Sequence, residues 1–340
     1  MAISRVTTKP ARTAPRLVLV RWTFSLILFV APLVSACTSV RPVIKIGLLA
    51  SFEGLQRRSG YEALAVMRMA LDEVAQADRA VIPLAMNAGA DGAEAQRAVR
   101  KMLRDPEVKA VVGPYDPELI EAIRPIMAER QIPWFLPFEL DPAVGMASAV
   151  APSRWAQALL DAVATAARQQ GHDRLVLAGD SAGWPPEEEL AKMETPLPVA
   201  LLNGATADLL NTSVLNERDA LFWLGDPASG AEYFETIRQA HPEISFWLGP
   251  WGSDPIFRER TTAPRFVYWV SWIDDGYKAW QQAATRHGIP DSPAAYLTFR
   301  ATVAALVTVD LLPPAPTAHW QLQTFAIQED GTSQPVQDSP

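Results

Sequence analysis

Apolar and polar positions along this chain follow two periods, and the periods take turns. Val43–Ala50 reads Val-Ile-Lys-Ile-Gly-Leu-Leu-Ala, the near-continuous apolar run expected of a strand covered on both faces. Over residues 61–77, Leu64, Met67, Leu71 and Val74 recur at intervals of three or four, which predicts a helix with one buried stripe. A second strand is predicted at 80–85, and a second helix at 93–103, stopped by Asp105-Pro106. A strand at 108–112, a helix at 117–130 and a strand at 132–136 follow. The rhythm then restarts with a helix at 153–170 and a strand at 174–178. Next come a short helix at 185–193, strands at 199–202, 220–224, 244–248 and 266–270, and a helix at 229–240. Beyond Asp274 the chain turns helical again, through Ala283 and then over 294–311, until Pro313, Pro314 and Pro316 break it. Residues 319–328 predict a last strand, and the polar residues after it a frayed tail. Strands alternating with helices predict parallel sheets with flanking helices. The restart after residue 150 predicts two such α/β lobes of about 110 residues each.

The segment ahead of the first strand has another pattern. Arg5, Lys9, Arg12, Arg16 and Arg21 precede an uncharged stretch over 22–36, with no acid among them. At about 15 residues the stretch is shorter than the roughly 20 a membrane-spanning helix needs. A basic head, a short apolar middle and small residues before a boundary describe an export signal. The tetrad Val34-Ser35-Ala36-Cys37 resembles the bacterial lipobox. That resemblance implies that residues 1–36 are a signal peptide and that Cys37, lipidated, becomes the mature N-terminus. Cys37 is the only cysteine, so no disulfide forms within the chain.

Charge narrows the function classes. Beyond Arg21 there are 25 basic residues against 38 acidic ones. A chain that acidic repels nucleic acid and anionic lipid head groups. No nucleic-acid partner is therefore expected, and membrane contact is expected only through the anchor. Four scattered histidines, His172, His241, His287 and His319, show no metal-ligand spacing, and no Gly-rich phosphate loop appears. Neither a metal nor a cofactor is expected.

Several stretches together resemble type 1 extracytoplasmic solute-binding proteins, in particular the leucine/isoleucine/valine-binding branch that serves ABC importers. They are Ile44-Lys45-Ile46-Gly47-Leu48-Leu49, the run from Asp105-Pro106 to Gly113-Pro114, Ile132-Pro133, the strand-helix-strand order from Phe222 to Gly249-Pro250, and Ala295-Tyr296. The resemblance implies two Rossmann-like lobes, a solute between them and hinge closure. It implies lobe one at 37–150 and 275–312, lobe two at 151–274 and 318–329, and a disordered tail at 330–340. An ABC permease is the implied partner. Independently, ligands of open parallel sheets sit beyond the carboxyl ends of the strands.

Those strand ends depart from the family pattern. Amino-acid-binding members carry small hydroxyl residues there, which hold the substrate carboxylate. Here the loops read Tyr115-Asp116 and Phe138-Glu139-Leu140, and Trp251 stands where an acid usually meets the substrate ammonium. Aromatic walls with a few polar groups suit an apolar, aromatic or cationic solute. The expected ligand set is Phe52, Tyr115, Asp116, Phe138, Glu139, Trp184, Asp226, Trp251 and Trp272, with the acids as candidate cation partners. Arg57-Arg58 in the first loop is read as solvated surface or an anion contact. The short link over 311–317, where the family carries a longer ending, predicts a stiffer hinge or a missing crossing.

Two alternatives stand beside this reading. A relative with the same fold that no longer transports would act as a sensor or structural lipoprotein. A hydrolase would use Gly179-Asp180-Ser181-Ala182-Gly183, which fits G-x-S-x-G after a predicted strand. Ser181 would be its nucleophile, with Asp274 or Asp275 and His287 or His319 completing a triad on order alone.

Overall fold

A computed structural model describes residues 42–72, 80–138, 152–179, 184–202, 215–262, 264–290, 292–313, 319–328 and 333–336. Cys37, Glu139 and Ser181 lie outside these residues. Strands β1 (Val43–Ala50), β2 (Ala80–Asn87), β3 (Val108–Val112) and β4 (Trp134–Phe135) form a parallel sheet in the order β2-β1-β3-β4. The pleat sends alternate side chains to opposite faces. Ile46, Leu48, Ala110, Val112 and Phe135 share one apolar cluster, while Leu49, Val111 and Trp134 share another.

Helices α2 (Gly92–Met102) and α3 (Pro117–Arg130) cover the Leu49 face through Ala95, Val99, Ile123 and Met127. Helix α1 (Arg57–Asp72) covers the other face with Ala63, Met67 and Leu71, spaced four apart. One helical step round, its Val66 and Met69 join the core of the second lobe. Helix α1 is thus apolar on two sides because it packs in two directions. It begins at Arg57, four residues earlier than the periodicity predicts, since the predicted loop contains its first turn.

The second sheet has seven strands in the order β11-β10-β9-β8-β7-β5-β6. Strands β5 (Arg174–Ala178), β6 (Val199–Leu202), β7 (Asp219–Trp223), β8 (Ser245–Leu248) and β9 (Val267–Ile273) are parallel, whereas β10 (Gln321–Ile327) and β11 (Ser333–Pro335) add antiparallel edges. Strand β11 corrects the expectation of a wholly frayed tail. Helices α4 (Pro152–Gln169), α5 (Glu187–Leu190), α6 (Pro227–Ala240) and α7 (Pro255–Arg260) accompany this sheet. Its core is built from fully buried Phe222, Phe246, Trp247 and Trp269. Each such ring contributes about 1.5–3 kcal/mol by leaving water.

Helix α8 (Tyr277–Arg286) was expected with lobe one. Its Tyr277 and Trp280 instead share the second core, with Tyr277 edge-on to Phe325 of β10. Helix α9 (Pro293–Thr308) serves both lobes. Ala301, Ala305 and Leu306 lie in the core of the first sheet, and Ala295 and Tyr296 in the second. Because β10 pairs with β9 after α9, the chain passes three times between the lobes, and the short proline-rich link removes no crossing. Asp274, at the end of β9, anchors one crossing. Its carboxylate accepts from Tyr296 Oη and from the Gly276 amide (2.7 Å), and it pairs with Arg300 at 2.9 Å.

Candidate functional site

Every parallel strand of both sheets except β2, β6 and β9 delivers a residue, at its end or in the loop after it, to one cavity between the lobes. Lobe one contributes Ala50 and Ser51 after β1, Pro114 to Pro117 after β3, and Phe138 after β4. Lobe two contributes Trp184 after β5, Leu224 to Pro227 after β7, and Trp251 and Asp254 after β8. Gln56, Ser59 and Gly60 of the first loop and α1, Leu119 and Ile120 of α3, and Trp155 of α4 complete the wall. Counted together with the open solvent at its mouth, the cleft encloses about 840 Å³.

The aromatic wall crosses from lobe to lobe. Tyr115 lies edge-on to Phe138 at 5.6 Å, Phe138 is 6.4 Å from Trp251, Trp251 is 5.7 Å from Trp184, and Trp184 is 4.6 Å from Trp155, all between ring centroids. Two glycines make these positions possible. Gly113 has φ +79°, and a Cβ there would lie 2.3 Å from the Leu49 carbonyl oxygen. Only glycine turns the chain so tightly before Tyr115. At Gly249 a Cβ would sit 2.3 Å from the Trp251 ring, so that ring lies flat against bare backbone. Trp184 donates from Nε1 to the Leu224 carbonyl (3.0 Å), which fixes its edge. Tyr115 accepts from Thr298 Oγ1 at 3.2 Å, and burial pushes its phenol pKa well up.

The acids have a double role. Asp116, Asp226 and Asp254 each stand at the N-cap of a helix whose next residue is proline. Asp116 accepts from the Glu118 amide (2.8 Å), Asp226 from those of Ala228 (2.8 Å) and Ser229 (3.1 Å), and Asp254 from that of Ile256 (2.9 Å). An Asp cap satisfies orphan N–H groups, and the proline at the next position needs none. All three carboxylates also line the cavity, where no Lys, Arg or His is found among the described residues. Burial raises the Asp116 pKa, with the charge of Asp226 adding to it, against the pull of the Glu118 and Leu119 amides and Gln56. Burial likewise raises Asp254, against the pull of Ser59, the Ile256 amide and Arg258.

Behind Tyr115 and Phe138 a smaller cavity holds Glu62 together with Ser59, Asp254 and Thr298. Burial pushes the Glu62 carboxyl up to about 7, with Asp254 adding to it, while Ser292, Arg258 and Arg58 oppose. The lobes touch along this seam. Ser59 donates to Asp254 at 2.7 Å, Arg58 pairs with Glu259, and the Ala294 amide donates to Ser253 Oγ at 2.9 Å. Arg58 keeps a mostly exposed side chain, in line with the solvated surface or anion contact expected from the sequence, and meets Glu259 at the edge of this seam.

Of the expected set, Tyr115, Asp116, Phe138, Trp184, Asp226 and Trp251 line the cavity. Phe52 does not; its ring lies edge-on to Tyr61 at 5.4 Å, beside the mouth-forming loop. Trp272 does not either, because it is buried against Leu297 in the core under α9. Glu139 is outside the described residues. Sequence reasoning missed Trp155, Ser59, Glu62 and Asp254. A signal existed only for Asp254, since Asp254-Pro255 repeats the dipeptides Asp116-Pro117 and Asp226-Pro227. For the hydrolase alternative, both Asp274 oxygens are engaged by Tyr296, Gly276 and Arg300, so that acid is not placed to orient a histidine.

A family model for periplasmic binding proteins matches residues 43–191. No curated protein sequence matches the chain. Among solved structures, a possible leucine/isoleucine/valine-binding protein from Rhodopirellula baltica aligns with a TM-score of 0.66 and 14% identity, over 88% of this chain and 98% of that one. The leucine-binding protein LivK from Thermotoga maritima aligns at 0.64 and 13%, over 86% and 98%. The branched-chain amino acid transporter substrate-binding protein LivJ from Streptococcus pneumoniae, in complex with isoleucine, aligns at 0.63 and 15%, over 86% and 99%. The chain has the two-lobed fold of type I periplasmic binding proteins.

Proposed function

We propose that this chain, built on the type I periplasmic-binding-protein fold, is an extracytoplasmic solute-binding lipoprotein that presents a small molecule to an ABC permease. The observation that carries the reading is the interlobe cavity, whose walls come from the strand ends of both lobes. A solute there touches both halves at once, so its binding energy favours the closed pair over the open one. No covalent step is required. Tyr115, Asp116, Phe138, Trp184, Asp226 and Trp251 are the proposed contacts, joined by Trp155, Ser59 and Asp254. The solved structures named for leucine or isoleucine support an amino-acid-like solute, and the aromatic wall supports an aromatic or amine one.

The basic and apolar N-terminal segment supports export, and Cys37 supports anchoring by an acyl chain. Among the described residues no helix is long and apolar enough to cross a membrane. Cys37→Ser is expected to leave the protein unlipidated and to release it from the membrane fraction. Intact-mass spectrometry and fractionation read this directly, and a Cys37→Ser protein still retained in membranes refutes the anchor. For solute capture, a thermal-shift screen of the full chain in detergent over amino acids, amines and aromatics is the test. A binder of the native state raises the melting temperature, by more as ligand concentration exceeds its Kd, and a screen without any shift refutes capture.

A second reading, a sensor or structural lipoprotein of the same fold, is favoured by Tyr115 and Trp251 replacing the hydroxyl cradle and acid of the amino-acid-binding pattern. It expects solute binding without permease contact, read by co-purification from membranes.

A further inference from the structure

The cavity has a charge signature that the general reading does not use. Three carboxylates from different helices converge on it, and no cationic side chain lines it among the described residues. The rest of the wall is mostly apolar or aromatic, Phe138, Trp155, Trp184 and Trp251 among it, with Ser51, Gln56 and Ser59 as its uncharged polar members. A second, independent observation concerns donors. Trp155 and Trp251 are 5% and 9% exposed, both line the cavity, and neither indole Nε1 has a hydrogen-bond partner among the described residues, a state shared outside the cavity by Trp269, Trp272 and Trp280. Buried donors without partners are rare in folded proteins and costly, and each accounts for itself best by an acceptor that arrives from outside.

We propose that the cleft takes an organic monocation, a protonated amine on an apolar or aromatic body with an uncharged oxygen acceptor, in preference to a zwitterionic α-amino acid. The inference rests on the solute-binding reading and narrows it. The ammonium is attracted by Asp116, Asp226 and Asp254 and by the tryptophan faces. The oxygen accepts from an indole N–H. A ligand carboxylate would enter a site that already holds three negative groups and offers no Arg or Lys to receive it. The caps keep these acids in place without ligand, because their amide bonds fix the side chains. The site is therefore pre-organised for a cation.

The test is calorimetric titration of the full chain in detergent at pH 7 with four probes that share a phenylalkyl body. Phenylalaninol carries a cation and a neutral oxygen, phenethylamine a cation alone, phenylalanine both charges, and 3-phenylpropanoate the anion alone. Phenylalaninol is expected to bind at least about tenfold tighter than phenylalanine, the effect of one good charged hydrogen bond. Phenethylamine should fall between them, and 3-phenylpropanoate should show no heat of binding. Asp226→Asn and Asp116→Asn should each weaken phenylalaninol about tenfold. Asn caps helices as well as Asp, so the melting temperature of either variant should hold while the charge is lost. Trp251→Phe should bring phenylalaninol down to the affinity of phenethylamine. Phenylalanine or 3-phenylpropanoate binding as tightly as phenylalaninol overturns the cation assignment and leaves solute capture standing. Full affinity in Asp226→Asn and Asp116→Asn together overturns it as well. Silence from all four probes overturns the assignment, and silence extending across the thermal-shift screen overturns solute capture itself.

Discussion

Glu62 is a carboxyl that the fold holds in the wrong medium, and replacing it should change the pH dependence of stability in a calculable way. Its pKa rises from an ordinary 4.5 to about 7, first because it is buried and second because Asp254 lies near. That displacement corresponds to about 3 kcal/mol. The sign follows from proton uptake. Below pH 4.5 the group is protonated in folded and unfolded chains alike, and the stabilisation relative to the ionised form is complete. Between 4.5 and 7 the folded chain keeps a proton that the unfolded chain has released, so stability falls as pH rises. Above 7 Glu62 is ionised in both states, and the whole contribution is gone. Glu62→Gln is neutral at every pH and of the same shape. It should match the parent near pH 4.5 and exceed it by about 3 kcal/mol at pH 8, or roughly 6 °C in melting temperature for a chain of this size. Urea denaturation of parent and variant across pH 4.5–8.5 reads the difference, in which the groups that do not interact with Glu62 cancel and Asp254, coupled to it, contributes with the same sign. A constant offset between the two curves refutes the burial argument.

Other substitutions have direct expectations. Because Glu62 meets Asp254 where the lobes join, raising the pH from 6 to 8 should enlarge the parent's radius of gyration by small-angle scattering, but not that of Glu62→Gln. Asp219 is 1% exposed and grips Arg174 at 2.9 and 2.5 Å; Asp219→Ala removes both bonds from the half-buried guanidinium, and denaturation should show a loss of about 3 kcal/mol. Gly113→Ala meets both a positive φ and the Leu49 carbonyl. It should cost about 1–3 kcal/mol and weaken ligand binding through displacement of Tyr115, with denaturation and calorimetry as the two readouts. Trp251→Ala should destabilise by about 3–5 kcal/mol, because the ring fills space between Phe138, Trp184 and Phe222.

Much of the architecture was legible in the periods. The apolar runs at β1, β3, β5 and β8 and the helical stripes between them pointed to parallel strands with covered faces, because strands alternating with helices bury both faces in that way. The strand ends were legible as the walls of a cavity for the same reason, and six of the nine residues expected to meet a ligand line it. What periodicity could not separate was a tryptophan that lines a cavity from one that fills a core. Trp251 and Trp272 both follow or close an apolar run. Gly249 lays the first against bare backbone beside the cleft, and the second points under Leu297. Helix boundaries at Arg57 and the placement of α8 were likewise decided by what each helix met.

The chain's own order of residues determined ten of the eleven strands and the strand-helix alternation that makes most of them parallel, since hydrophobic period is local and acts before any long-range contact forms. Only the tertiary structure decided which residues share one cavity. Ser59 reaches Asp254 across 195 positions, and Glu62 reaches Ser292 across 230. A carboxyl's neighbours, and with them its charge at neutral pH, depend on packing between distant segments, which no local pattern encodes.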